Sequence, residues 1–209
     1  LYGILRLFKS GRDSHTYTAM LITHEREKLL NAMVFFVSKT KHCGVTKLFK
    51  LLNFLDFEHY KQTGRSVTGL DYFAWDYGPV PTALFFEIKD KPKDDLNSFV
   101  RFESRPPAED DSKRPTKITP QHQFESKYFS KREMQILKKL AYIYVDATGD
   151  EMSRISHDAN LPWHKTIKSL GEKKHIDYKL VLDDKKLPRS KEVIEDLTSE
   201  YEETKALFR

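Results

Sequence analysis

The chain has 209 residues, enough for a substantial core. Its 39% hydrophobic, 32% charged and 12% aromatic residues describe a soluble globular protein built on Phe and Tyr, which excludes disorder of the whole. The formal charge is +5 with a pI near 9.0, yet acidic and basic residues are interspersed without a run of five or six like charges, so the charge reads as a solvated surface and disfavours a nucleic-acid patch. Cys43 is the sole cysteine, which rules out an intrachain disulfide and a thiolate zinc cluster and fits a reducing cytoplasm; no apolar run reaches the ~18 residues that membrane insertion needs.

Taken in order, the chain starts with a segment of uncertain parentage. The first Met is Met20, and residues 1–19 read as a leader, an upstream extension or a foreign segment, with 20–209 as a single domain. Ile4, Leu5, Leu7 and Phe8 with Arg6, Lys9 and Arg12 suggest one short basic amphipathic turn. Thr23 is the expected N-cap of a first helix, with Glu25 and Glu27 in its first turn, where the helix dipole favours negative charge. Leu29, Met33 and Phe36, flanked by Leu30, Val34 and Val37, give that helix one apolar face. His42-Cys43-Gly44 then links it to a second helix as a helical hairpin.

The second helix is the centre of the fold. Val45, Leu48, Leu52 and Leu55 recur at helical spacing, and Phe49, Leu51, Phe54 and Phe57 widen the stripe until little of the circumference stays polar. Gln62-Thr63-Gly64 stops it. Ser66 to Leu70 reads as a short extended segment, and Tyr72, Phe73, Trp75 and Tyr77 follow as a rigid aromatic turn ending at Gly78-Pro79-Val80-Pro81. Pro81 suits the start of a helix through Leu84, Phe85 and Ile88, so the turn is held between two helices.

Beyond Asp90 the pattern weakens. Lys91 to Asp95 reads as a loop, Phe99 to Phe102 as a strand, and Ser104 to Gln121, with four prolines and almost nothing apolar, as an exposed mobile loop. Helical order returns where Ser130 and Glu133 make a capping box and Phe129 can staple onto Met134; Met134, Leu137, Ala141 and Tyr144 line its core face. Thr148 and Glu151 repeat the box for a short helix bearing Met152 and Ile155, and Asn160 with Pro162 starts a turn carrying Trp163. His175 to Leu182 alternates like a strand. Ser190 to Phe208 is a closing helix on which six acids outweigh three bases, an unsuitable face for phosphate. The fold class is therefore mainly α with a small β element (α+β), a helical core around one central hydrophobic helix.

Candidates for chemistry are few. Asp56, Glu58 and His59, with His157 and Asp158, are the best set for a divalent ion or acid–base work, but nothing in their spacing forces them together, and a structural His at a helix end is the simpler reading. Ser156-His157-Asp158 are sequence neighbours, whereas a working triad converges from separated positions. No Gly-rich phosphate loop is present. No catalytic residue, metal ligand or cofactor is assigned. Tyr60, Tyr72, Trp75, Tyr77 and Trp163 form instead a candidate surface for a protein partner, because tyrosine and tryptophan bury much area with few torsions to freeze. Asp71 and Asp76 stand where base stacking would want Lys or Arg.

Lys47-Leu48, the run Lys50 to Asp56, Thr63-Gly64-Arg65 and above all Ala74-Trp75-Asp76-Tyr77-Gly78-Pro79-Val80-Pro81 resemble the hallmark of the Panacea domain of SocA-like antitoxins. Ile155-Ser156-His157-Asp158 followed by Leu161-Pro162-Trp163-His164 resembles that family's second signature, and the similarity spans roughly Thr23 to Thr166. The resemblance implies an antitoxin that neutralises a cognate protein toxin by direct binding, and it carries over no catalytic residue. The competing classes are a DNA-binding autoregulator, which would need a basic recognition helix, and a metal-dependent hydrolase, which would need a bound ion.

Overall fold

The computed structural model describes residues 4–9, 17–90, 92–103, 117–183 and 187–208. Two strands come first, β1 (Ile4–Lys9) and β2 (Tyr17–Ile22), paired antiparallel with Ile4 opposite Ile22. The amphipathic turn expected for this segment is thus corrected: six residues are too few to nucleate a helix on their own, and a β-prone partner run saturates the backbone instead. Residues 10–16, with Arg12 of that pattern, lie outside the described residues.

Helix α1 (Glu25–Lys39) starts one residue later than Thr23 would have it. His24 is the N-cap, at φ 55°, and absorbs the change of direction from strand to helix without a side-chain cap bond. Its face from Leu29 to Phe36 packs on α2 (Val45–Thr63), which runs through the core with Leu48, Leu51, Leu52 and Leu55 at 0% exposure. Burying each such leucine contributes about 2 kcal/mol or more. Around α2 lie α1, α5 (Lys131–Ile143), α6 (Gly149–Ser156) and α8 (Lys191–Leu207), so one helix touches most of the others. It ends at Gly64 in the left-handed region, φ 71°, where a Cβ would collide with the Ile194 carbonyl and Thr198 of α8.

The aromatic turn is a hairpin, β3 (Phe73–Trp75) and β4 (Gly78–Val80), with Asp76-Tyr77 at its tip. Helix α3 (Thr82–Asp90) follows it. Asp94–Phe99, expected in part as loop, is a short helix, α4: Asp94 and Asp95 occupy its first turn, Leu96 is buried, and Arg26 of α1 clamps Asp95 and Glu87 at 2.6 to 3.1 Å. Val100–Glu103 (β5) pairs antiparallel with Lys117–Pro120 (β6). Of the mobile loop expected over Ser104 to Gln121, its end is this strand and residues 104–116 lie outside the described residues.

Both capping boxes form as the spacing predicts. Ser130 Oγ accepts from the Glu133 amide at 3.2 Å while Glu133 accepts from the Ser130 amide at 2.6 Å, and Thr148 and Glu151 do the same for α6. Helix α7 (Pro162–Leu170) begins on Pro162 with Leu161, not Asn160, as its N-cap. The strand expected over His175 to Leu182 is a 3-10 turn at Tyr178–Asp183, joined to β3 by a single bridge at His175. Val181 and Leu182 are both buried, which a strand of period two facing one core cannot do. Among the described residues the molecule is mainly helical, with three two-stranded antiparallel sheets. No helix of the described residues is long and apolar enough to cross a membrane.

Candidate functional site

The β3–β4 hairpin is held from both sides. Ala74 exchanges backbone hydrogen bonds with Lys173 and Lys174, and Trp163 Nε1 donates to the Trp75 carbonyl at 2.8 Å, so the two separated motifs meet in space. Trp163 stacks flat on His157 with centroids 3.8 Å apart and planes at 10°. Gly78, at φ 101°, fits beneath because a Cβ there would run into Ser156 Oγ and Lys50 Nζ.

Of the five aromatic candidates, the hairpin separates core from surface. Tyr77 at the tip is 76% exposed; Trp75 and Trp163 are half-buried. Tyr60 and Tyr72 are buried in a second, smaller core with Phe57, Ile176 and Ile194, which removes both from any partner surface. Tyr72 donates to Asp56 at 2.8 Å, and Tyr60 accepts from Thr198 at 3.2 Å. Their burial has a plain cause: the 3-10 turn lays Tyr178 over Phe57 and Tyr60 with centroids 4.3 and 5.3 Å apart, closing that face of α2.

The residues considered for chemistry are engaged elsewhere. Asp56 accepts from the Val67 and Thr68 amides at 2.8 Å each, from the Thr68 hydroxyl and from Tyr72, so its carboxyl anchors the segment between α2 and the hairpin. Burial pushes that carboxyl up to about 6 against the pull of these donors. His59 Nδ1 lies 2.8 Å from the Arg65 carbonyl, and burial first of all drives its imidazole down to about 4, so it sits neutral at the helix end. Ser156 Oγ donates to the Ser153 carbonyl at 2.7 Å, and Asp158 receives the Asn160 amide at 3.2 Å. Burial pushes the Cys43 thiol up to about 11, the wrong direction for a nucleophile. Among the described residues no group of three His, Cys, Asp or Glu side chains is placed to hold a metal ion.

Two lysines of α2, Lys47 and Lys50, entered the sequence reading only as members of the hallmark motif, with no role assigned. Lys47 is fully buried and donates to the carbonyls of Lys41, Val145 and Ala147 at 2.7, 3.3 and 2.6 Å, pinning the α1–α2 link to the α5–α6 link. Lys50, one turn on, is 1% exposed and donates to the Pro79 carbonyl at 3.0 Å beneath the hairpin. Burial lowers the Lys50 ammonium to about 7, and burial, then Lys50, lowers the His157 imidazole too. His157 Nε2 is buried with no hydrogen-bond partner among the described residues. The signals for these lysines were their place inside an otherwise apolar stripe and their membership of the hallmark motif.

One cleft borders the hairpin and another borders Trp163. One, of about 480 Å³, lies between Phe49, Trp75, Tyr77, Val80 and Phe85, with Lys50 in its wall. The other, of about 390 Å³, lies between α2, the end of α5 and the α6–α7 connection, with Asn53, Phe54, Tyr144, Ile155 and Trp163 in its walls. Trp163 therefore belongs to both the hairpin surface and the second cleft.

A family model described as "Antitoxin SocA-like, Panacea domain" matches residues 48–164, more than half of the chain and including α2 from Leu48, the hairpin and the start of α7. No curated protein and no solved structure matches the chain.

Proposed function

The chain belongs to the SocA-like antitoxin family of Panacea domains, and from that premise we propose that it neutralises a cognate protein toxin in the cytoplasm by direct binding, with residues 20–209 acting as one domain. It works as a stoichiometric binder and carries out no turnover. The observation that supports this reading most is the hairpin: the family's hallmark residues form a short, doubly braced turn whose tip ring, Tyr77, is exposed while Ala74 and Trp75 are tied to the body by hydrogen bonds. On a braced backbone a tyrosine has few torsions left to freeze when it docks, which is how tyrosine anchors many interfaces. The half-buried Trp75 and Trp163, joined by a hydrogen bond, lie beside the tip.

The test is co-expression. Small open reading frames beside the gene that kill a host on their own should be tolerated when the wild-type chain is present. Tyr77→Asp should abolish that rescue, a loss of about 2 kcal/mol or more of binding, while stability changes by no more than about 0.5 kcal/mol. Full rescue by Tyr77→Asp together with charge substitutions at Trp75 and Trp163 would put the binding surface elsewhere.

A further inference from the structure

Asn53 is out of place on α2. Leu52 before it and Leu55 after it are fully buried, and Asn53 itself is 7% exposed, yet its side-chain amide makes no hydrogen bond among the described residues. The fully buried side-chain atom left without a partner among the described residues is His157 Nε2, so the Asn53 amide is not sealed in the core but opens into the cleft it lines, where a leucine would suit an apolar wall better. The amide borders the 390 Å³ cleft, whose other walls, Phe54, Tyr144, Ile155 and Trp163, are mostly apolar. Ile143 and Ile155 stand at its mouth with 52% and 39% of their surface exposed. An apolar cleft with one unpaired carboxamide is the form of a site for a side chain that arrives attached to a group offering a donor and an acceptor together, as a peptide unit does.

The charge around the mouth narrows the occupant. Helix α5, which forms one wall, exposes Lys131, Arg132, Lys138 and Lys139, and its single acid, Glu133, is buried against Lys28 at 2.7 Å. In the cleft itself Glu58, at 3.9 and 3.8 Å from Lys61 and Lys139, and Asp158 balance those two lysines. The positive charge without an acidic partner among the described residues is Lys131, Arg132 and Lys138, beyond the lining along α5, and it invites acidic residues there.

We propose that this cleft receives a peptide segment of the toxin, with one large apolar side chain entering between Ile155 and Trp163, a peptide or carboxamide group pairing with Asn53, and flanking Asp or Glu residues lying along α5. This rests on the neutralisation reading and names where the partner is anchored.

The experiment has two arms. Random peptides displayed on phage are selected on the full-length chain, and the winners are titrated against wild type, Asn53→Leu and Ile155→Asp. The winners should carry an apolar residue flanked by acids and bind both variants about tenfold more weakly or worse, while the unfolding midpoint of Asn53→Leu stays equal to or above that of wild type. Winners that bind the variants as well as wild type, or no winners at all, overturn the proposal. So does a chain that instead binds duplex DNA with a steep salt dependence removed by Lys138→Glu with Lys139→Glu, which would assign the basic face to nucleic acid. In the second arm the same variants are scored for rescue from the co-expressed toxin. Loss of rescue supports the assignment; intact rescue overturns it and leaves neutralisation standing. If no neighbouring toxin exists, the neutralisation reading fails alone and the peptide arm still decides the cleft.

Discussion

Lys47 and Lys50 are three positions apart on the same buried helix, and burial lowers both ammonium groups, but their partners differ. Lys47 places its ammonium among three carbonyls, so its desolvation is offset in part by three charge-assisted hydrogen bonds. Lys47→Met would leave those carbonyls without their donor, and should cost about 2 to 4 kcal/mol in chemical denaturation. Lys50 has the Pro79 carbonyl and no carboxylate, and burial brings it to about 7. Between that value and the roughly 10.4 of a free lysine, the unfolded chain holds a proton that the folded chain has released, so folding stability rises with pH through that window. Lys50→Met should flatten that rise without lowering stability at pH 7. A wild-type stability that is level from neutral to alkaline pH would refute this assignment.

At the scale of elements, α5 depends on its first turn. Glu133 closes the capping box and receives Lys28 of α1, and although burial opposes its charge, Lys28 and the Ser130 amide hold the carboxyl below its ordinary range. Its stabilisation is complete above the roughly 4.3 of an unfolded glutamate and is lost as pH falls through the lower folded value. Glu133→Ala should cost about 3 kcal/mol at neutral pH and weaken the acid dependence of unfolding, measured by denaturation between neutral pH and the acid limit. Ser130, Thr148 and Pro162 marked helix starts in the sequence because capping is local chemistry, complete within four residues. The same holds for the stop at Gly64. What could not be read there depends on distant residues. Strand β3 is three residues long and owes its place to Lys173 and Lys174; α4 is fixed by Arg26; the 3-10 turn at Tyr178–Asp183 follows from packing on Phe57 and Tyr60. The site shows the same division. Ring density at the hairpin was plain, but Tyr72 and Tyr77 look alike in a string of letters, and only the packing of Tyr72 on Asp56 and the second core before β3, against the place of Tyr77 at the tip, buries one and exposes the other. Asn53 gave no warning, since one amide on a helix is ordinary until its partners are counted.

For the molecule as a whole, α2 connects the parts. It carries the leucines of the main core, the Asp56 anchor of the loop before the hairpin, Lys50 beneath the hairpin and Asn53 in the cleft, so scaffold and surface share one rigid element. Rigid, pre-formed surfaces suit tight binding because little order remains to be imposed on association. A binder of this kind should leave its toxin chemically intact and act only in proportion to its amount. The most direct measurement is isothermal titration of the purified wild-type chain into the purified toxin, repeated with Tyr77→Asp. Direct binding should give a saturable complex of fixed stoichiometry that releases unmodified toxin on dissociation and is lost in the variant; rescue in cells without any measurable complex, or a toxin altered by substoichiometric amounts of the chain, would contradict it.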